Sequence, residues 1–142
     1  MEKRPETMIS ERGRELRRGV RPLTVTYKGV SKTVEMPGWY PDDPHDDEDA
    51  VFTGSDLDVS DAALRELKEQ VDRIPRPETV RRIREKLGLS QRKASALLGG
   101  GPNAFQKYES AEAEPSQAMG ILLFLLDRHP ELVEEVRLPL AS

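Results

Sequence analysis

The sequence predicts an α+β fold in two parts: a small N-terminal β-hairpin or sheet with one helix, then an all-α domain of about five helices. Two observations carry this. Apolar and polar residues alternate with period two from Leu23 to Met36, while from Ser60 onward they recur every three or four positions. Between the two helical stretches lies Ile74-Pro75-Arg76-Pro77, which reads as a short semi-rigid linker. At 142 residues the chain has room for one or two small cores. The expected boundaries are residues 1–74 for the first domain, 75–77 for the linker and 78–142 for the second.

In the first domain, Leu23–Tyr27 and Lys32–Met36 are the strands of a hairpin turned by Lys28–Ser31. Pro37-Gly38 is expected to break the second strand. Trp39 and Tyr40 would cover one face of the sheet, and Ala50–Thr53 is a candidate third strand. Ser60 is the expected N-cap of a helix reaching Arg73, with Ala63, Leu64, Leu67 and Val71 as its apolar stripe.

The second domain begins with Pro77, which suits a first helical position. Its helix would bury Val80, Ile83 and Leu87 and stop at Gly88. Ser90 then caps a helix burying Ala94, Leu97 and Leu98 that must end at Gly99–Gly101. Pro102 would restart the chain as a further helix burying Phe105 and Tyr108, leaving Asn103, Gln106 and Lys107 on the opposite face. Two short helices around a glycine turn fit a plain helical hairpin or a helix-turn-helix. In the latter these outward side chains meet base edges in the major groove. Asn reads adenine bidentately, and Lys reads guanine, so Asn103 and Lys107 are the candidate base contacts.

Ser116 opens the next helix, which is apolar on every side from Ala118 to Leu126. Such a helix needs more cover than one small domain gives. Ile121, Leu122 and Leu125 would pack under the reading helices, while Met119, Leu123 and Phe124 would form a homodimer interface. A last helix, Pro130 to Val136, could supply part of that cover through Leu132, Val133 and Val136. A two-fold dimer would set two reading helices one DNA turn apart on a palindrome.

Charge is informative in its distribution. The net value of −4 does not suit a protein that merely coats DNA. From Pro75 on there are 10 basic and 9 acidic residues, against 12 and 17 before it. The later bases cluster at Arg81, Arg82, Arg84, Lys86, Arg92, Lys93 and Lys107, as a basic face or as solvated helix surfaces with pairs such as Arg81 and Glu85. No cysteine is present, which excludes disulfides and thiolate metal sites. The longest apolar run, Ile121–Leu126, is far short of the ~20 residues of a membrane span, so a soluble, cytoplasmic protein is expected. Asp42, Asp43, Asp46, Asp47, Glu48 and Asp49 surround His45. This Pro-interrupted acidic stretch reads as a solvated loop or a contact for a basic partner, with a metal-dependent hydrolase as the remote alternative. His129, before Pro130, reads as the junction of two helices. No nucleophile or phosphate-binding motif accompanies either histidine, so no enzyme and no cofactor are expected.

The four-helix pattern resembles the Xre/Cro-type repressor domain. More specifically, Gly99-Gly100-Gly101-Pro102-Asn103-Ala104-Phe105-Gln106-Lys107-Tyr108-Glu109, followed by Leu126-Asp127-Arg128-His129-Pro130-Glu131-Leu132, resembles the C-terminal domain of MqsA-type antitoxins over roughly Pro75 to Arg137. Tyr27-Lys28-Gly29 and Lys32-Thr33-Val34 are similar to the family's toxin-binding domain. The resemblance implies a type II antitoxin that neutralises a RelE-like ribonuclease toxin and, as a homodimer, represses its own operon at a palindromic operator. Ser90, Gln91, Arg92 and Gln106 would then contact the DNA backbone. Where the family has Arg, this chain has Lys107, which keeps the charge without the guanine-gripping fork. The family's two zinc-binding Cys-x-x-Cys pairs fall near Met8 and Glu11, and near Pro41 and Pro44, which implies a variant without the metal. Its sheet would be held by hydrophobic packing alone, or residues 1–22 would be loose until a partner orders them. The alternative reading is a free-standing Xre-type regulator with an N-terminal sensor or partner-binding domain.

Overall fold

The structure, a computed structural model, describes residues 7–138 and falls into two compact units divided between Leu67 and Lys68, inside a helix. In the first unit an antiparallel sheet has the spatial order β1 (Thr7–Ile9), β2 (Glu15–Tyr27), β3 (Val30–Tyr40). Helix α1 (Asp56–Asp72) follows. β2 and β3 pair in one unbroken register from Tyr27 opposite Val30 to Arg17 opposite Tyr40. Lys28 and Gly29 both have positive φ, +47° and +81°, as a two-residue type I′ hairpin turn requires.

Both strands outrun the expected hairpin, and Pro37-Gly38 does not break the second. β3 is an edge strand whose Trp39 exchanges both backbone bonds with Val51, at 2.8 and 3.0 Å, on the side away from β2. With period two, the backbone nitrogen of Pro37 points to that same outer side. The missing N–H therefore costs the β2–β3 ladder nothing. Pro22, opposite Glu35, occupies an equivalent position. Ala50–Thr53 supplies only the Val51 bridge, and the third strand is β1. Residues 7–9 and 15–22 thus belong to strands, while residues 1–6 lie outside those described. Helix α1 begins four residues before Ser60, which sits inside it and donates to the Leu57 carbonyl. Among the described residues of this unit the buried hydrophobic side chains are few, namely Leu16, Met36, Tyr40, Ala63 and Leu67, with Pro41 buried beside them.

The second unit holds α2 (Pro77–Lys86), α3 (Gln91–Leu98), α4 (Ala104–Glu109), α5 (Gln117–Arg128), a 3-10 turn (Pro130–Leu132) and α6 (Val133–Arg137). Its core gathers Val80, Ile83, Leu87, Ala94, Phe105, Tyr108, Leu123 and Leu126 among others. Ser90 and Ser116 cap α3 and α5, accepting from the N–H groups of Lys93 and Met119 at 3.1 Å. The segment expected to be a spacer is packed within this unit. Pro75 is buried, Glu69 accepts from the Arg76 backbone and guanidinium at 3.1 and 2.8 Å, and a Cβ on Gly120 would lie 1.9 Å from the Arg73 carbonyl oxygen.

That last contact corrects the expected rotation of α5. A helix apolar on every side carries no amphipathic signal, so its one glycine, Gly120, decides which side meets the Arg73–Pro75 backbone. Met119, Leu123 and Leu126, at i, i+4 and i+7, then turn into the core, with Leu123 fully buried. Met119 and Leu123 are therefore not available as an interface. Ile121 and Leu125 are exposed, whereas Leu122 and Phe124 are half-buried against the core. α6 folds back as expected, burying Val133 while leaving Leu132 and Val136 exposed.

Candidate functional site

α3 and α4 pack together around Gly99–Gly101, all three with φ between +88° and +98°. Side chains rarely adopt that backbone, so the glycine run is a conformational requirement of this turn. A Cβ on Gly100 would also meet Tyr108 Oη at 2.5 Å. The turn extends further than expected: Pro102 lies outside the helix, and Asn103 is the N-cap of α4, in the left-handed region at φ +57°, ψ +27°. Its exposed side chain makes no capping bond. Lys107 is exposed, one turn along. Gln106 is half-buried, and its amide oxygen accepts from Ser95 Oγ of α3 at 3.4 Å, so it bridges the two helices. Ser90, Gln91 and Arg92 stand at the N-terminus of α3, with Ser90 occupied as its cap.

The basic residues divide into two sets. Arg81 pairs with Glu85, and Arg82 and Lys86 share Asp127, whose pKa they hold down at about 2, the Arg82 bond contributing most. Arg84 grips Glu109 through two bonds of 2.8 and 2.9 Å and donates to the Leu89 carbonyl. With side chains 13% and 8% exposed, this pair is internal and ties the end of α2 to the end of α4. Among the described residues Arg92, Lys93 and Lys107 make no ion pair and are exposed, so the basic face contracts to these three. Nothing local marks Arg84 as structural, because its partner lies 25 residues away.

On the outer side of α5, Ile121, Phe124 and Leu125 floor a shallow groove of about 420 Å³ rimmed by Arg73, Arg76, Arg82 and Arg128. In the first unit the β3 edge is open from Ser31 to Glu35 among the described residues, where the pairing on its outer side is the Trp39–Val51 bridge.

A family model for the antitoxin component of the bacterial toxin-antitoxin system, MqsA, matches residues 10–137. The chain belongs to the MqsA antitoxin family. It is 36% identical over 91 residues to Antitoxin MqsA of Escherichia coli (strain K12), a match covering 63% of this chain and 70% of that protein. No helix among the described residues is long and apolar enough to cross a membrane.

The zinc that resemblance to MqsA-type antitoxins implies does not fit these residues. Pro41 and Pro44 carry no donor atom, Met8 offers a thioether, and Glu11 is exposed in the β1–β2 turn. Among the described residues no three His, Asp or Glu side chains converge as a metal site, His45 and its acidic neighbours included. Nor is the sheet held by hydrophobic packing alone, and the acidic loop is not simply solvated. Arg21, with its side chain 17% exposed, lies over the Tyr40 ring and donates to the carbonyls of Pro41 (2.5 Å), Asp43 (3.0 Å) and Asp46 (2.7 Å) and to the Asp47 carboxylate (2.6 Å). Arg14 bonds Asp46 at 2.7 Å and lies 3.5 Å from buried Asp49. Arg17 pairs with Asp42. Arg18 grips buried Asp56 and, with the Thr53 N–H, holds that carboxyl at about 2. A guanidinium wrapped by three carbonyls and a carboxylate thus orders the loop in this antitoxin.

Proposed function

We propose that this MqsA-family antitoxin binds a palindromic operator in its own promoter as a homodimer, and that its N-terminal unit occludes a small basic ribonuclease of RelE type. It acts by binding, without an enzymatic step of its own, in the cytoplasm. The observation that carries the DNA half is Asn103: an exposed, uncapped amide at the start of α4, with Lys107 one turn on. In this reading Asn103 and Lys107 contact bases, while Arg92, with Ser90, Gln91 and Gln106, contacts the sugar-phosphate backbone. The dimer forms through the exposed face of α5, Ile121 and Leu125 with the edge of Phe124.

The toxin half is supported by the open β3 edge. Its outward backbone groups from Ser31 to Glu35 suit strand addition by a partner's sheet. The domain boundaries of this reading are residues 1–74 for toxin capture and 78–142 for DNA and dimer contacts.

The test compares the chain with its Asn103→Ala variant on a duplex from upstream of its own gene and on a scrambled duplex. The variant is expected to lose about 1–3 kcal/mol on the first and almost nothing on the second. Equal losses on both would refute base reading. Leu125→Glu should yield folded monomers in sedimentation, and an intact dimer would place the interface elsewhere.

A further inference from the structure

Helix starts normally satisfy their first N–H groups with the side chain of their own N-cap residue, as Ser90 and Ser116 do here. α4 is built differently. Asn103 belongs to the residue types that cap most readily, yet it makes no capping bond. The bond goes instead to a residue of the preceding helix: Phe105 N–H donates to Ser95 Oγ at 3.1 Å. Ser95 also holds the near side of the turn, since its carbonyl accepts from Gly99 N–H at 3.1 Å. Its hydroxyl proton is directed toward Gln106 Oε1, which leaves the oxygen lone pairs to Phe105. One half-buried serine therefore fastens both ends of the Gly99–Asn103 turn. Ala104 N–H is met by the Gly101 carbonyl at 3.2 Å.

We propose that Ser95 is a positioning residue for DNA recognition: by capping α4 from α3 it takes over a bond that left-handed Asn103 does not make, and so fixes the start of α4 with the Asn103 amide free for an adenine edge. This rests on the reading of Asn103 as a base contact. Both polar ends of the Asn side chain are needed for a bidentate contact with adenine N6 and N7, so an Asn engaged in capping could not make it. Ser95 itself need touch no nucleotide.

Two measurements on the full chain test this. In the free protein, amide hydrogen exchange at Phe105 should quicken about tenfold or more in Ser95→Ala and stay near the parent rate in Ser95→Thr, which keeps the oxygen. Unchanged exchange in Ser95→Ala would overturn the capping role. On the duplex from upstream of its own gene, Ser95→Ala should bind about tenfold more weakly, with less than a twofold change on scrambled DNA. Adding Ser95→Ala to Asn103→Ala should bring no further loss, because Ser95 acts through Asn103. Additive losses, or equal losses on both duplexes, would make Ser95 merely structural and overturn the proposal. If Asn103→Ala weakens the upstream duplex and Ser95→Ala does not, the Ser95 proposal alone fails. If Asn103→Ala changes nothing, base reading fails and the proposal falls with it, whatever the exchange data show.

Discussion

The two units solve the problem of a small core in opposite ways. The second buries a contiguous set of aliphatic and aromatic side chains around Phe105 and Leu123 and seals the starts of α3 and α5 with serines. The first has few buried hydrophobic residues among those described and a long acidic loop, and it orders that loop with arginines from β2 and the β1–β2 turn. Where apolar area is scarce, charge-assisted hydrogen bonds to carbonyls and carboxylates take over the fixing of geometry. The consequence is a division of sensitivities: the helical unit should respond to lost volume, the sheet unit to lost charge. Trp39, the chain's one tryptophan, lies in the sheet unit, so its fluorescence reports that unit while helical circular dichroism reports mainly the other.

The largest expected effect is on the apolar side. Phe105→Ala empties the centre of the helical core and should lower stability in helical melts by about 3–5 kcal/mol, with the Trp39 transition little changed. Gly120→Ala comes next. In an ordinary helix this change would gain about 1 kcal/mol, but here the added Cβ meets the Arg73 carbonyl, so a loss of roughly 1–3 kcal/mol is expected. A gain would show that the Arg73–Pro75 segment is not packed on α5.

Arg21→Ala should act on the other unit, lowering the Trp39 transition by about 2 kcal/mol while the helical melt stays put. Loss of the helical signal alone would reverse the comparison. Acid provides a finer probe. Asp46 and Asp56 have folded pKa values below the ordinary 3.8, through Arg14 and Arg18 respectively, with Asp56 at about 2. Groups lowered on folding stabilise above their unfolded value and lose that contribution as pH falls through the folded one, so the Trp39 transition should weaken between about pH 4 and pH 2. Asp127, also at about 2, imposes the same trend on the helical unit. Asp56→Asn should therefore flatten the acid dependence of the Trp39 signal alone.

How much of this is legible in the sequence depends on the range of the interaction. Ser90, Ser116, Pro77 and the alternation around Leu23–Met36 act within a few residues, and the elements they mark are present. The continuation of β3 through Pro37 depends on which edge of the strand the nitrogen faces, which the residue type does not state. The rotation of α5 depends on Gly120 meeting a segment more than forty residues earlier. Arg84 with Glu109 and Arg21 with the acidic loop are likewise invisible to local pattern, which shows only a basic cluster and an acidic run. At the candidate site, Asn103 and Lys107 stand out through the Gly-Gly-Gly-x-Asn motif. Ser95 does not, because its hydroxyl serves a helix other than its own.

The central claim is that one chain carries two separable binding functions, and it is tested most directly by separating them. Glu35→Pro removes an outward N–H from the β3 edge without touching the β2 ladder, and Asn103→Ala removes the proposed base contact. Each full-length variant is titrated against the activity of a small basic ribonuclease of RelE type, the proposed toxin partner. The account predicts that Asn103→Ala inhibits as well as the parent chain, while Glu35→Pro inhibits at least about tenfold more weakly yet still binds the upstream duplex. Full inhibition by Glu35→Pro together with loss of inhibition by Asn103→Ala would contradict it.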